Sequence, residues 1–119
     1  MNRQELGRWG EEQAFLHLIN LGWAPVARNY RCPHGEMDLI FQNSDWLIFV
    51  EVRTRSSGRW GWGEESINFR KKRRLLQIAG FFMQQWKEGF VRLRFDLVAI
   101  DYESIDQFRL RHLQGILLN

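Results

Sequence analysis

Cysteine occurs once in this 119-residue chain, at Cys32, and proline only twice. A lone cysteine excludes an intrachain disulfide and makes a multi-thiolate zinc site untenable, so a reducing, cytoplasmic setting is expected. His17, His34 and His112 add no zinc-ligand spacing to Cys32. No apolar run approaches the roughly 20 residues of a membrane span. Met1-Asn2-Arg3-Gln4-Glu5 carries no apolar h-region, so a cleaved secretory signal and a membrane partner are not expected. There is no phosphate-binding P-loop and no dinucleotide glycine motif. Repeats, low-complexity segments and linkers are also missing. The expected organisation is therefore one domain over residues 1–119.

What is present is a folding composition: 45% hydrophobic and 26% charged residues, with a net charge of only +3. The charge is unevenly placed. Eight basic residues (Arg53, Arg55, Arg59, Arg70, Lys71, Lys72, Arg73 and Arg74) fall in one segment against Glu64 and Glu65. A solvated helix face is the bland reading of such a run. Phosphate contact is the alternative.

Local signals give the element order. A first helix is expected from about Gln4 to Leu21, stopped by Gly22. Strand material follows near Ala24–Tyr30, and Cys32-Pro33-His34-Gly35 reads as a turn. Strands near Glu36–Gln42 and Leu47–Arg53 flank Asn43-Ser44-Asp45-Trp46 as a hairpin. A Gly- and Trp-rich loop spans Ser56–Gly63. A second helix is expected from about Asn68 to Lys87 and a strand over Arg92–Asp101. The tail from Ser104 fits a strand or a short helix. Leu47, Ile48, Phe49 and Val50 are apolar on both faces, which calls for helical cover on both sides of a mixed sheet.

Acidic residues interrupt this apolar pattern. Asp38 lies within Gly35-Glu36-Met37-Asp38-Leu39-Ile40 and Glu51 within Phe49-Val50-Glu51-Val52-Arg53. A buried carboxylate is costly unless paired, hydrogen-bonded or bound to a cation. If the hairpin pairs Gln42 with Leu47, Asp38 lies opposite Glu51 on one face. Two opposed carboxylates repel without a cation, and Mg²⁺ or Mn²⁺ prefers such hard oxygen ligands. Arg53 shares the Glu51 face and offers a fixed charge for a phosphate, or a salt bridge to the acids, but not a general base. On the first helix, Phe15, Leu18, Ile19, Ala14 and Leu21 form the expected apolar face, and Glu11 projects near its centre. Trp60, Trp62 and Arg59 in the glycine loop offer stacking and charge to nucleic acid, or core packing. Asp96 reads as structural, paired with Arg94 or a loop arginine.

A helix glutamate, a strand aspartate and Glu-x-Lys/Arg on the next strand together resemble the PD-(D/E)xK nuclease superfamily. More closely, the chain resembles the YraN-like family of small predicted endonucleases. The matching motifs are Gly7-Arg8-Trp9-Gly10-Glu11-Glu12-Gln13-Ala14, Arg28-Asn29-Tyr30-Arg31, Gly35–Ile40, Phe49–Arg55, Lys71 and Arg94-Phe95-Asp96, in order along nearly the whole chain. Met37 stands where the superfamily name has proline, and Arg53 where lysine is usual. The resemblance implies an α/β fold with an αβββαβ restriction-endonuclease-like core, its mixed sheet flanked by helices. It implies Mg²⁺ or Mn²⁺ at Asp38 and Glu51, with Glu11 and Arg53 completing the catalytic set. The expected activity is metal-dependent hydrolysis of DNA phosphodiester bonds, with Arg55, Arg59, Trp60, Trp62, Arg70 and Lys71 contacting the nucleic acid. Two other readings stand beside it: a non-catalytic nucleic-acid-binding module on the same fold, and a protein-interaction domain docking through its tryptophans.

Overall fold

A computed structural model describes residues 1–56 and 68–117. The expected loop residues Arg59, Trp60 and Trp62 lie outside the described residues. The described elements are α1 (Arg3–Asn20), β1 (Ala24–Cys32), β2 (Gly35–Asn43), β3 (Trp46–Ser56), α2 (Phe69–Met83), β4 (Arg92–Ser104) and β5 (Gln107–Leu113). They build a five-stranded mixed sheet in the order β1-β2-β3-β4-β5. This contains the αβββαβ core, and the tail resolves as an added edge strand.

Local chemistry sets the boundaries. Asn2 and Glu5 form a reciprocal capping box at the start of α1: Glu5 N–H donates to Asn2 Oδ1 at 2.7 Å and Asn2 N–H to Glu5 Oε1 at 3.0 Å. At the other end Gly22 takes φ +89°, and Trp23 N–H closes back on the Leu18 carbonyl. The expected apolar face of α1 needs correction. Gly10, Ala14 and Leu18 are buried, with Trp9 and Phe15 packed beside them, whereas Ile19 and Leu21 are exposed. Helix α2 ends at Met83 and not Lys87; its last turn tightens through Gln85 N–H to the Phe82 carbonyl and Trp86 N–H to the Met83 carbonyl.

The sheet separates two apolar layers. On the α1 side lie Ala14, Leu18, Leu39, Phe41, Ile48, Val50, Val98 and Ile100. On the α2 side lie Met37, Ile40, Leu47, Phe49, Leu75, Ile78, Ala79 and Phe95. Alternating residues of β3 thus feed opposite cores, as its doubly apolar sequence requires. β3 and β4 run parallel, as a crossover through α2 allows, and pair Phe49 with Phe95.

Helix α1 crosses β3 closely. A Cβ added at Gly10 would fall 1.8 Å from Thr54 Oγ1 and 2.9 Å from Thr54 Cβ. Gly10→Ala is therefore expected to lower the unfolding free energy by about 2–3 kcal/mol, read from urea midpoints. Adding Thr54→Ala should restore part of it, since the nearest atom is then gone while Cβ remains. Unchanged stability in Gly10→Ala would contradict this crossing.

The hairpin register is the expected one. Gln42 pairs with Leu47, and the pairing runs from Asn43–Trp46 to Leu39–Val50, where it stops. Beyond that point β2 continues only with β1, as far as Cys32–Gly35, and β3 only with β4, as far as Ser56–Tyr102. The sheet forks there. Asp38 and Glu51 are the first residues past the last rung, one on each prong.

Candidate active site

The fork gives Asp38 an unusual position. With the ladder ended, Val52 N–H donates to Asp38 Oδ2 at 2.8 Å, so the carboxylate itself spans the two strands. Met37 and Ile40 both enter the α2-side core although strict alternation separates them. β1 is irregular at the same level. Asn29 lies between the pairs Arg28–Leu39 and Tyr30–Met37 and takes φ +51°, a left-handed conformation that asparagine tolerates better than most residues.

Burial raises the Asp38 carboxyl from 3.8 to about 7; the Val52 hydrogen bond opposes this, and the charges of Glu11, Glu51 and Glu36 reinforce it. Four acidic side chains thus share one electrostatic environment. Glu11 accepts a hydrogen bond from Asn29 Nδ2 at 3.1 Å. The adjacent Glu12 is held by Arg28 at 2.8 Å.

Glu51 is half-buried and faces cations from two elements. Lys71 Nζ of α2 forms an ion pair with Glu51 Oε2, and Arg53 Nε lies 3.7 Å from the same oxygen. Lys71 thus brings an ammonium to Glu51 from α2, beside the guanidinium of Arg53 on the same strand as Glu51. Asn68 positions that helix end by accepting from Lys71 N–H at 2.9 Å.

Asp38 and Glu51 line an open depression of about 290 Å³, with Gly35, Glu36, Met37 and Arg74. The fold brings together Glu11, Asp38, Glu51, Arg53 and Lys71. Arg70 is exposed on the first turn of α2. Arg55 instead lines a separate hollow at the start of α1, with Asn2, Arg3 and Leu6. Sequence reasoning gave Asn29 no individual role and placed Arg74 only within the basic run. An asparagine inside a strand, where it is disfavoured, was the available signal for the first. Arg74 is hidden within five consecutive basic residues.

The donor set fits a small hard cation in one respect. Two carboxylates line one depression, and Mg²⁺ is commonly held by one or two carboxylates, with water and substrate phosphate supplying the rest. Among the described residues, no group of three His, Cys, Asp or Glu side chains converges to hold a metal by protein ligands alone. Asp96 lies apart from the depression, fully buried and bonded to Arg94 and His112, which agrees with its structural reading. No helix among the described residues is long and apolar enough to cross a membrane.

The model of the uncharacterised protein family UPF0102 matches residues 10–100. A UPF0102 protein of Desulfitobacterium hafniense (strain DSM 10664 / DCB-2) is 52% identical over 101 residues, covering 83% of each chain. One from Caldicellulosiruptor saccharolyticus is 40% identical over 100 residues, covering 84% of this chain and 85% of its own. One from Frankia casuarinae is 34% identical over 113 residues, covering 95% and 96%. With a family match over residues 10–100, this chain belongs to UPF0102, the YraN-like group.

Proposed function

We propose that the protein is a metal-dependent nuclease acting on phosphodiester bonds, with DNA as the expected substrate. The observation that carries this reading is Asp38: a half-buried carboxyl at the sheet fork, with three other acids near enough to raise its pKa and with Glu51 on the facing strand. Asp38 and Glu51 would hold Mg²⁺ or Mn²⁺, which when bound activates water and offsets charge on the phosphodiester. The chain's own groups do the rest. Glu11, oriented by Asn29, keeps negative potential on the Asp38 side. Arg53 and Lys71 hold Glu51 in place and supply positive charge where phosphate charge develops. Arg53 acts by charge alone, because guanidinium keeps its proton.

The test is nicking of labelled single-stranded, duplex, flap and four-way-junction DNA with Mg²⁺ and with Mn²⁺. Asp38→Ala is expected to lose at least about 100-fold in rate, since loss even of a ligand's supporting partner commonly costs 10–100-fold. Equal cleavage by both proteins would sink the assignment. A second reading is a binding module without turnover, in which Lys71 and Arg53 occupy Glu51 in place of a metal. It predicts salt-dependent DNA binding that survives EDTA and Asp38→Ala, with no cleavage under any condition.

A further inference from the structure

We propose that Arg74 grips a phosphate of the nucleic-acid strand lying over Asp38 and Glu51. The proposal takes its site from the nuclease reading and adds to it a residue for the substrate backbone. Arg74 lies three residues beyond Lys71, on the same helix face and about one turn along. It lines the acidic depression, whereas its neighbour Arg73 does not.

Among the described residues, the acids near it are already engaged. Glu51 is held by Lys71 and Arg53, Glu36 faces Arg31 at 3.8 Å, Glu11 accepts from Asn29 and Asp38 from Val52. Arg74 has no acidic partner among the described residues.

Its stem is nevertheless placed. A Cβ at Gly35 would stand 3.4 Å from Arg74 Cδ and 3.3 Å from Ile78 Cδ1. The arginine therefore runs across bare backbone at the β1–β2 turn, where Gly35 has φ +136°, a conformation that other residues rarely adopt. A guanidinium with a packed stem and no ion-pair partner among the described residues is preorganised for an anion. Its planar fork matches two oxygens of one phosphate.

The experiment is anisotropy of a labelled oligonucleotide, single-stranded and duplex, in EDTA between about 50 and 200 mM salt. Wild type, Arg74→Gln, Arg74→Lys and Arg73→Gln are compared, with Mg²⁺-dependent cleavage measured in parallel. Arg74→Gln is expected to weaken binding about tenfold and to lower the salt slope by about 0.7–0.9. Arg74→Lys should regain the slope but not the full affinity, because a single ammonium cannot bridge two oxygens. Arg73→Gln should move affinity less than Arg74→Gln does.

Equal effects of the two glutamine variants, or none at Arg74, would overturn the proposal, as would a wild type that binds neither probe. Arg74 is exposed, so its variants leave the core intact. Because binding is read without metal, the two ideas fail separately. Arg74-dependent binding without cleavage removes the nuclease reading alone. Asp38-dependent cleavage indifferent to Arg74 removes this one alone.

Discussion

In metal-free buffer, Asp38→Asn is expected to unfold at a higher urea concentration than the wild type at about pH 8, and at nearly the same concentration at about pH 4. Burial, with Glu11, Glu51 and Glu36 nearby, raises this carboxyl from 3.8 to about 7. In the unfolded chain it ionises near its ordinary value. Between those two values the folded state binds the extra proton, so stability falls as pH rises, and the loss is complete above about pH 7. Its size is about 4 kcal/mol, from 1.36 kcal/mol per pH unit of separation. Asparagine carries no charge at any of these pH values, and its Oδ1 can keep the hydrogen bond from Val52 N–H. Mg²⁺ added to the wild type at about pH 8 should narrow the gap and leave the variant unmoved. A gap independent of pH would remove the electrostatic account. The same substitution should abolish cleavage, so Asp38 would hold stability and activity in opposition.

Much of this site is legible in the amino-acid sequence alone. The turn residues and the alternation of the hairpin place Gln42 on Leu47, and counting outward from that rung brings Asp38 level with Glu51. Glycine at position 22 marks the end of α1 because a left-handed residue must close it. What periodicity does not express is where a ladder stops. The fork at Leu39–Val50 is a tertiary event, set by β2 following β1 and β3 following β4. It turns two facing acids into a cleft. Arg74 is illegible for the same reason: in a basic run each cation resembles its neighbours, and only the turn at Gly35 distinguishes one. Strand β5 is obscured differently. Its residues Gln107–Leu113 are mostly exposed or half-exposed at a sheet edge, so their sequence carries little of the apolar signal that marks β3.

Asp96→Ala is expected to destabilise the fold by about 3–5 kcal/mol, with unchanged turnover per folded molecule wherever the variant remains native. Asp96 has 0% exposure, yet it is the acceptor at the centre of a closed network. Arg94 Nε and Nη2 each donate at 2.9 Å, His112 Nε2 lies at 2.8 Å and Gly115 N–H donates at 3.1 Å. Burial alone would raise its carboxyl; the hydrogen bonds of His112, Arg94 and Gly115 outweigh that and hold it below the usual carboxylate value. This stabilisation is present above the ordinary carboxylate range and is lost as pH falls through the folded value. Removing the acceptor leaves Arg94 and His112, both with little solvent access, facing each other across an empty centre. The desolvated Arg94 guanidinium without a counter-charge and the lost hydrogen bond of His112 account for most of the cost, and the missing volume for the remainder. The combined variant Arg94→Met/Asp96→Leu/His112→Leu should therefore lose less than Asp96→Ala alone, because no orphaned charge remains. Urea unfolding of the two proteins at neutral pH decides it. If the triple variant is the less stable, the network contributes net stability beyond satisfying its own members. If Asp96→Ala instead folds normally and loses cleavage, Asp96 belongs to the chemistry and not to the scaffold behind it.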